Sequence, residues 1–129
     1  MKLYTFVNSY IFGIQVGIQA SHSVTGFIME NRNHPKVIEW YEDSETYAWL
    51  DGGDNNAMWE TVELCENLGE LHTIFNEEGL AHALTAFTIL PSEKLLETME
   101  LVEKKYDFSE YDDYYKLATR LVWAKGKRI

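Results

Sequence analysis

No lysine or arginine stands between Lys36 and Lys94, although carboxylates run through that stretch from Glu39 to Glu93. Nucleic-acid affinity rests on Lys and Arg neutralising phosphates, so the middle of the chain offers no phosphate-tracking surface and a large nucleic-acid partner is unexpected. With a net charge of −10, the acidic run reads as a solvated surface. The basic exception is residues 125–129, where Lys127 and Arg128 are placed to hold one or two phosphates. Cysteine is nearly absent too. Cys65 stands alone, which excludes an intrachain disulfide, suits a reducing cytoplasm and leaves a thiol expected to sit quietly on a helix. No apolar run approaches the ~18 residues of a membrane span, so no membrane partner is expected, and the N-terminus does not read as a secretory signal. The four histidines, His22, His34, His72 and His82, lack metal-ligand spacing, and neither a P-loop nor a G-x-G-x-x-G occurs, so no metal or cofactor is expected. His82 remains a candidate for ligand contact, and His22 reads more simply as a core or supporting residue.

What is present suits a single packed domain: 129 residues, 46% hydrophobic and 14% aromatic. Residues 2–8 read as a strand with apolar groups on both faces, hence covered on both sides. A helix follows to about Glu30, with Asn8 and Ser9 as its expected caps. Pro35 opens a short helix over 35–43. Residues 45–50 form a second strand closed by Asp51-Gly52-Gly53-Asp54, a tight turn or a place where backbone approaches a ligand. Residues 55–68 form an amphipathic helix with Met58, Val62 and Cys65 inward, ended by Gly69. Strands at 71–75 and 83–90 follow, then a helix capped by Ser92 and a last helix over 110–124 with Tyr114, Leu117 and Leu121 inward. The order β-α-α-β-α-β-β-α-α predicts an α/β three-layer sandwich: a four-stranded mixed sheet with helices on both faces, plus an extra C-terminal helix. Six aromatics, Trp40, Tyr41, Tyr47, Trp49, Trp59 and Trp123, are expected mostly in the core or an interface, with one or two free to stack on a base.

The first helix carries a small tandem repeat, Gly13-Ile14-Gln15 and Gly17-Ile18-Gln19. A spacing of four aligns equivalent residues on one side of a helix. Gly13, Gly17 and Ser21 then form a column with little side chain, open to a strand or ligand. Ile14, Ile18 and His22 form a second column, expected to face the core, and Gln15, Gln19 and Ser23 a third of uncharged donors and acceptors.

This stretch, in this element order, resembles the type-2 peptidyl-tRNA hydrolase family. The family's turn into A-A-Q-C-S-H-A is matched by Gly17-Ile18-Gln19-Ala20-Ser21-His22-Ser23, and its second signature by Glu77-Glu78-Gly79-Leu80-Ala81 and Thr85 to Pro91. The likeness spans roughly residues 2–105, so 1–108 is expected as a hydrolase-like domain, with the helix and basic tail of 109–129 packed on it. The sequence is also similar to divergent, phage-encoded members of that fold, which carry a G-I-Q-x-G-I-Q-A-x-H helix and a strand ending in Gly-Gly, here Gly52-Gly53. The resemblance implies a catalytic lysine, aspartate and threonine. Their places fall at Gly13, Glu77 and Ala81. A holding site is therefore expected rather than a cutting one. The expected ligand is small and nucleotide-derived, bound through Asn8, Ser9, Gly13, Gln15, Gln19, His22, Gly52, Gly53, Thr85, Lys127 and Arg128. For a phage protein in the host cytoplasm, the implied role is sequestering an immune signalling nucleotide. The alternatives are a peptidyl-tRNA or ester hydrolase with Glu77 as its acid group, and an interaction module. A homodimer or higher oligomer is expected, with the last helix as a possible dimerisation element.

Overall fold

The computed structural model describes residues 1–104 and 112–124, and in them a four-stranded mixed sheet lies between two helical layers. The central strand β1 (Lys2–Val7) pairs in parallel with β2 (Thr46–Asp51) and antiparallel with β4 (Ala83–Leu90), which in turn pairs antiparallel with β3 (Leu71–Glu77), giving the order β2-β1-β4-β3. Leu3 to Val7 are all buried, as expected for a strand covered on both faces. Leu3 and Val7 pack toward α1 (Ile14–Asn31), while Tyr4 and Phe6 join the larger core beneath the other face. A register shift at Phe75/Asn76 lets consecutive residues Thr85 and Ala86 both point toward α1, the usual effect of a β-bulge.

The larger core joins that face to α3 (Asn55–Leu68), α4 (Glu93–Glu103) and α5 (Asp113–Ala124) through Met58, Val62, Cys65, Leu95, Met99, Leu117 and Leu121. The expected inward stripes of α3 and α5 are therefore present, and α5 is an integral part of the domain's core. Leu117 and Leu121 are fully buried, each contributing ~1.5–3 kcal/mol. Caps set the helix ends: Asp54 accepts from Ala57 N at 2.8 Å, Ser92 from Leu95 N at 3.2 Å, and Asp112 from Tyr115 N at 2.8 Å. Gly69 ends α3 at φ 66, a left-handed conformation that favours glycine. The short α2 (Pro35–Glu39) runs into a π-turn over Trp40–Ser44 that seats Trp40 in the smaller core. Among the described residues no helix is long and apolar enough to cross a membrane.

Three expectations change. Asn8 and Ser9 do not cap α1, which begins at Ile14 with Gly13 as its N-cap. Asn8 instead holds the connecting loop, accepting from Tyr10 N at 3.0 Å and donating to the Leu84 carbonyl at 3.1 Å. Of the six aromatics expected in the core or an interface only Trp40 is in the core; Tyr41, Tyr47, Trp49, Trp59 and Trp123 are exposed on the single chain, which leaves the interface half of that expectation open. The third change is the orientation of α1. Its isoleucine column faces outward, with Ile14 81% and Ile18 40% exposed, and His22 is exposed beside them. The buried side is Gln19, Ala20, Ser23 and Phe27. The cause lies in the sheet, which presents threonines to this helix: Thr5, Thr73, Thr85 and Thr88 are all buried. A polar column matches that strip; an isoleucine in place of Gln19 would leave the Thr85 hydroxyl unpaired.

Candidate functional site

Two hydrogen-bonded chains fasten α1 to the sheet. In the first, Gln19 is 2% exposed and fully engaged. Its Nε2 donates to Glu77 Oε2 at 3.1 Å and to Gln15 Oε1 at 3.4 Å, and its Oε1 accepts from Thr85 Oγ1 at 2.7 Å. In the second, Thr88 Oγ1 lies 2.9 Å from Thr5 Oγ1 and 2.7 Å from Ser23 Oγ. Further along α1, Glu30 accepts from Thr73 Oγ1 at 2.8 Å. Among the described residues no buried side-chain N or O lacks a partner. These groups hold the fold together and leave no free buried donor for a ligand.

An open groove of about 500 Å³ lies immediately beyond this cluster. It sits at the carboxyl end of β1, between the loop after β1, the start of α3 and the turn joining β3 to β4; Asn8, Tyr10, Trp59, Leu80, His82 and Thr85 line it, with Asn55 at the first turn of α3. The space outside the carboxyl ends of strands is where ligands gather in open α/β sheets. Tyr10 is 75% and Trp59 42% exposed, so both rings offer free surface. Ala81 and His82 form the far rim with φ 55 and 59, left-handed values in consecutive non-glycine residues that the turn imposes. Among the described residues no Asp or Glu lines the groove, despite the chain's charge of −10.

The expected binding residues divide among several places. Asn8 and Thr85 line the groove, both already engaged with protein atoms. Ser9 N donates to the Gly53 carbonyl at 2.8 Å, and Gly52 N to the Val7 carbonyl at 2.8 Å, which closes the β1–β2 end. A Cβ on Gly52 would run into Met58 Sδ, so this glycine is demanded by packing. Gly53, at φ 82, lines a separate hollow of about 220 Å³ beside Arg120 and Trp123. Gly13 stands at φ 63 with open space around it, and Gln15 is exposed apart from its bond to Gln19. His22 stacks on Phe75 with ring centroids 4.8 Å apart, on the outer side of α1. Lys127 and Arg128 lie outside the described residues, as does the link at 107–109. Glu77 is tethered by Gln19 and by Gly79 N at 3.4 Å and is absent from the groove lining.

Sequence reasoning did not single out Tyr10, Asn55 or Leu80 and placed Trp59 only among the aromatics. A signal for Trp59 was available: Met58, Val62 and Cys65 define the inward side of α3, which turns Trp59 toward the side. Cys65 is fully buried, and burial, then the negative charges of Glu70 and Glu66, push its thiol up to about 12, so it is an inert packing group. No protein-family model matches the chain, and no curated protein does.

Proposed function

We propose that this protein binds a small nucleotide-derived ligand in the groove at the carboxyl end of β1 and holds it without turning it over. The carrying observation is the groove's composition: two exposed aromatic rings and no carboxylate, in a protein that is otherwise strongly acidic. Its ~500 Å³ falls in the range of small-molecule sites. Stacking of a base on Tyr10 or Trp59 contributes ~1–3 kcal/mol per base. His82 offers a ring nitrogen and Asn55 a side-chain amide on opposite rims of the groove.

Holding is favoured over cleavage by what surrounds the groove. Gly13 and Ala81 carry no group able to polarise an ester or move a proton, Thr85 gives its hydroxyl proton to Gln19, and Glu77 is tethered outside the groove. On this reading the protein is a cytoplasmic sponge. The likeness to phage-encoded hydrolase-like proteins extends this to sequestration of a host immune signalling nucleotide.

Isothermal titration calorimetry against cyclic dinucleotides, ADP-ribose and cyclic ADP-ribose derivatives tests it. At least one is expected to bind, to be recovered intact by chromatography, and to lose tenfold or more in affinity in Tyr10→Ala or Trp59→Ala. No heat with any compound, or binding indifferent to both substitutions, overturns the reading. Cleavage of the ligand or of a peptidyl-tRNA mimic would favour the hydrolase alternative.

A further inference from the structure

The outer side of α1 presents apolar surface that no described residue of the chain covers. Gly17 lies in mid-helix, where glycine is unfavourable, yet a Cβ there would meet nothing within 4 Å. No contact among the described residues accounts for it. Ile14 and Ile18 stand exposed beside the column of Gly17, Ser21 and Thr25. The adjoining surface of β2 is also uncovered. Helix α1 runs over β1, β4 and β3, leaving Tyr47 46% and Trp49 36% exposed. Four strands spaced ~4.8 Å apart span more width than one helix of ~10 Å can cover. The flank of α1 and these two rings line a trough of about 240 Å³ that shares Ser21 and Thr25 with the hollow beside Ile14 and Gly17.

We propose that a second copy of this chain occupies that face, forming a twofold dimer in which the two α1 helices cross near Gly17 and Ser21. Each copy's Ile14 and Ile18 then pack against the partner copy's small-residue column and toward its open β2 face. Charge argues for a second copy over an unrelated partner. Two molecules of net charge −10 repel, and they can meet closely only where neither carries charge. No Asp, Glu, Lys or Arg occurs between Lys2 and Glu30. Self-pairing also fits the shape, because a protruding isoleucine column beside a flat small-residue column is complementary to itself under a twofold axis. The apolar area is substantial. At ~200 Å² per large side chain, Ile14, Ile18, Met29, Tyr47 and Trp49 together expose on the order of 500 Å², the greater part of the ~800 Å² per partner of a standard interface.

Sedimentation velocity of the full chain over a micromolar concentration series is the test. The wild type is expected to sediment as a dimer. Ile14→Asp and, separately, Trp49→Lys are expected to weaken association at least ~100-fold by placing charge in the buried face. Both sites are solvent-exposed in the single chain, so both variants should keep the wild-type far-UV dichroism and a cooperative thermal transition, its midpoint lowered only by the loss of the partner copy, which excludes misfolding as the cause. Glu63→Lys on α3 should leave the dimer intact. A monomeric wild type, whether the face is then bare or taken by another protein, overturns the proposal. So does a dimer that survives both substitutions.

Discussion

Replacing Thr88 by Val removes one oxygen from the centre of a buried trio while keeping the side-chain shape. Thr88 and Thr5 are 0% and Ser23 is 1% exposed, so water cannot replace the lost partner. The two surviving hydroxyls fare differently. Ser23 lies on a helix and can turn its proton to the carbonyl four residues back. Thr5, on the central strand, has its hydrogen bond at 2.9 Å to Thr88 alone among the described contacts and is left stranded. One stranded hydroxyl costs ~1–3 kcal/mol and the lost bonds ~1 kcal/mol more, so Thr88→Val should destabilise by about 2–4 kcal/mol. In a chain of this size that lowers the melting temperature by on the order of 10 °C.

The informative comparison is with the triple variant Thr5→Val, Ser23→Ala, Thr88→Val. It leaves no hydroxyl unpaired and should return to within about 1 kcal/mol of the wild type, since an apolar replacement of all partners is nearly neutral. Ser23→Ala alone should cost about 1 kcal/mol or less, because Thr5 and Thr88 still satisfy each other. Urea unfolding of these four proteins and of Thr5→Val gives the coupling energy, the cost of the triple variant less the sum of the three singles. A coupling under about 0.5 kcal/mol, with the triple variant as damaged as the sum of the singles, would refute the view that these hydroxyls act as one unit.

Truncation after residue 108 removes Leu117 and Leu121 from the main core; at ~1.5–3 kcal/mol each this approaches the ~5–15 kcal/mol stability of a domain, so the shortened chain should show no cooperative thermal transition. Gly17→Ala should raise monomer stability by up to ~1 kcal/mol, whereas Gly52→Ala should lower it by ~1–3 kcal/mol, because its Cβ meets Met58 Sδ and lies 3.3 Å from the Val7 carbonyl; urea midpoints distinguish the two. Native Cys65 should resist thiol reagents at pH 8 and react only on unfolding. Its folded pKa is raised from 9.0 to about 12, so the folded state holds the proton that the unfolded state releases. That stability is fully present below pH 9 and is lost between pH 9 and about 12, and Cys65→Ala should flatten the decline measured by denaturation across that window.

The architecture was legible because its signals are local. Met58, Val62 and Cys65 repeat at helical spacing, Ser92 and Gly69 bound their helices, and the alternation in β1 matches burial on both faces. The groove was less so. Tyr10, Trp59 and His82 come from three separate elements, and only the packing of α3 against β4 and the bulge near Thr85 bring them together. Glu70 shows the same limit. It is 5% exposed and accepts from both Ser92 N at 2.8 Å and Ser92 Oγ at 2.6 Å, so a residue that reads as part of an acidic surface is a buried anchor for the start of α4.

The reversal of α1 explains why function was harder to read than fold. A hydrophobicity rule sends isoleucine inward and glutamine outward, and it holds only if the facing surface is apolar. Here the facing surface carries four threonines, two from β4 and one each from β1 and β3, so polar matching offsets the transfer of two isoleucines. Each buried isoleucine would contribute ~1.5–3 kcal/mol, but losing Gln19 and Ser23 from this face would strand the Thr85 hydroxyl at ~1–3 kcal/mol and forfeit the Gln19–Glu77 and Ser23–Thr88 bonds at ~1 kcal/mol each. The same reversal separates the two proposed surfaces. The glutamines expected to read a ligand become the seam that fixes α1 to the sheet, and the proposed ligand contact lies in the aromatic groove beyond β1. The isoleucines expected in the core become an uncharged outer face in an acidic molecule. Ile14→Asp should therefore dissolve the dimer without abolishing ligand binding, and Trp59→Ala should weaken binding without dissolving the dimer; a single substitution that removed both would show the two surfaces to be one.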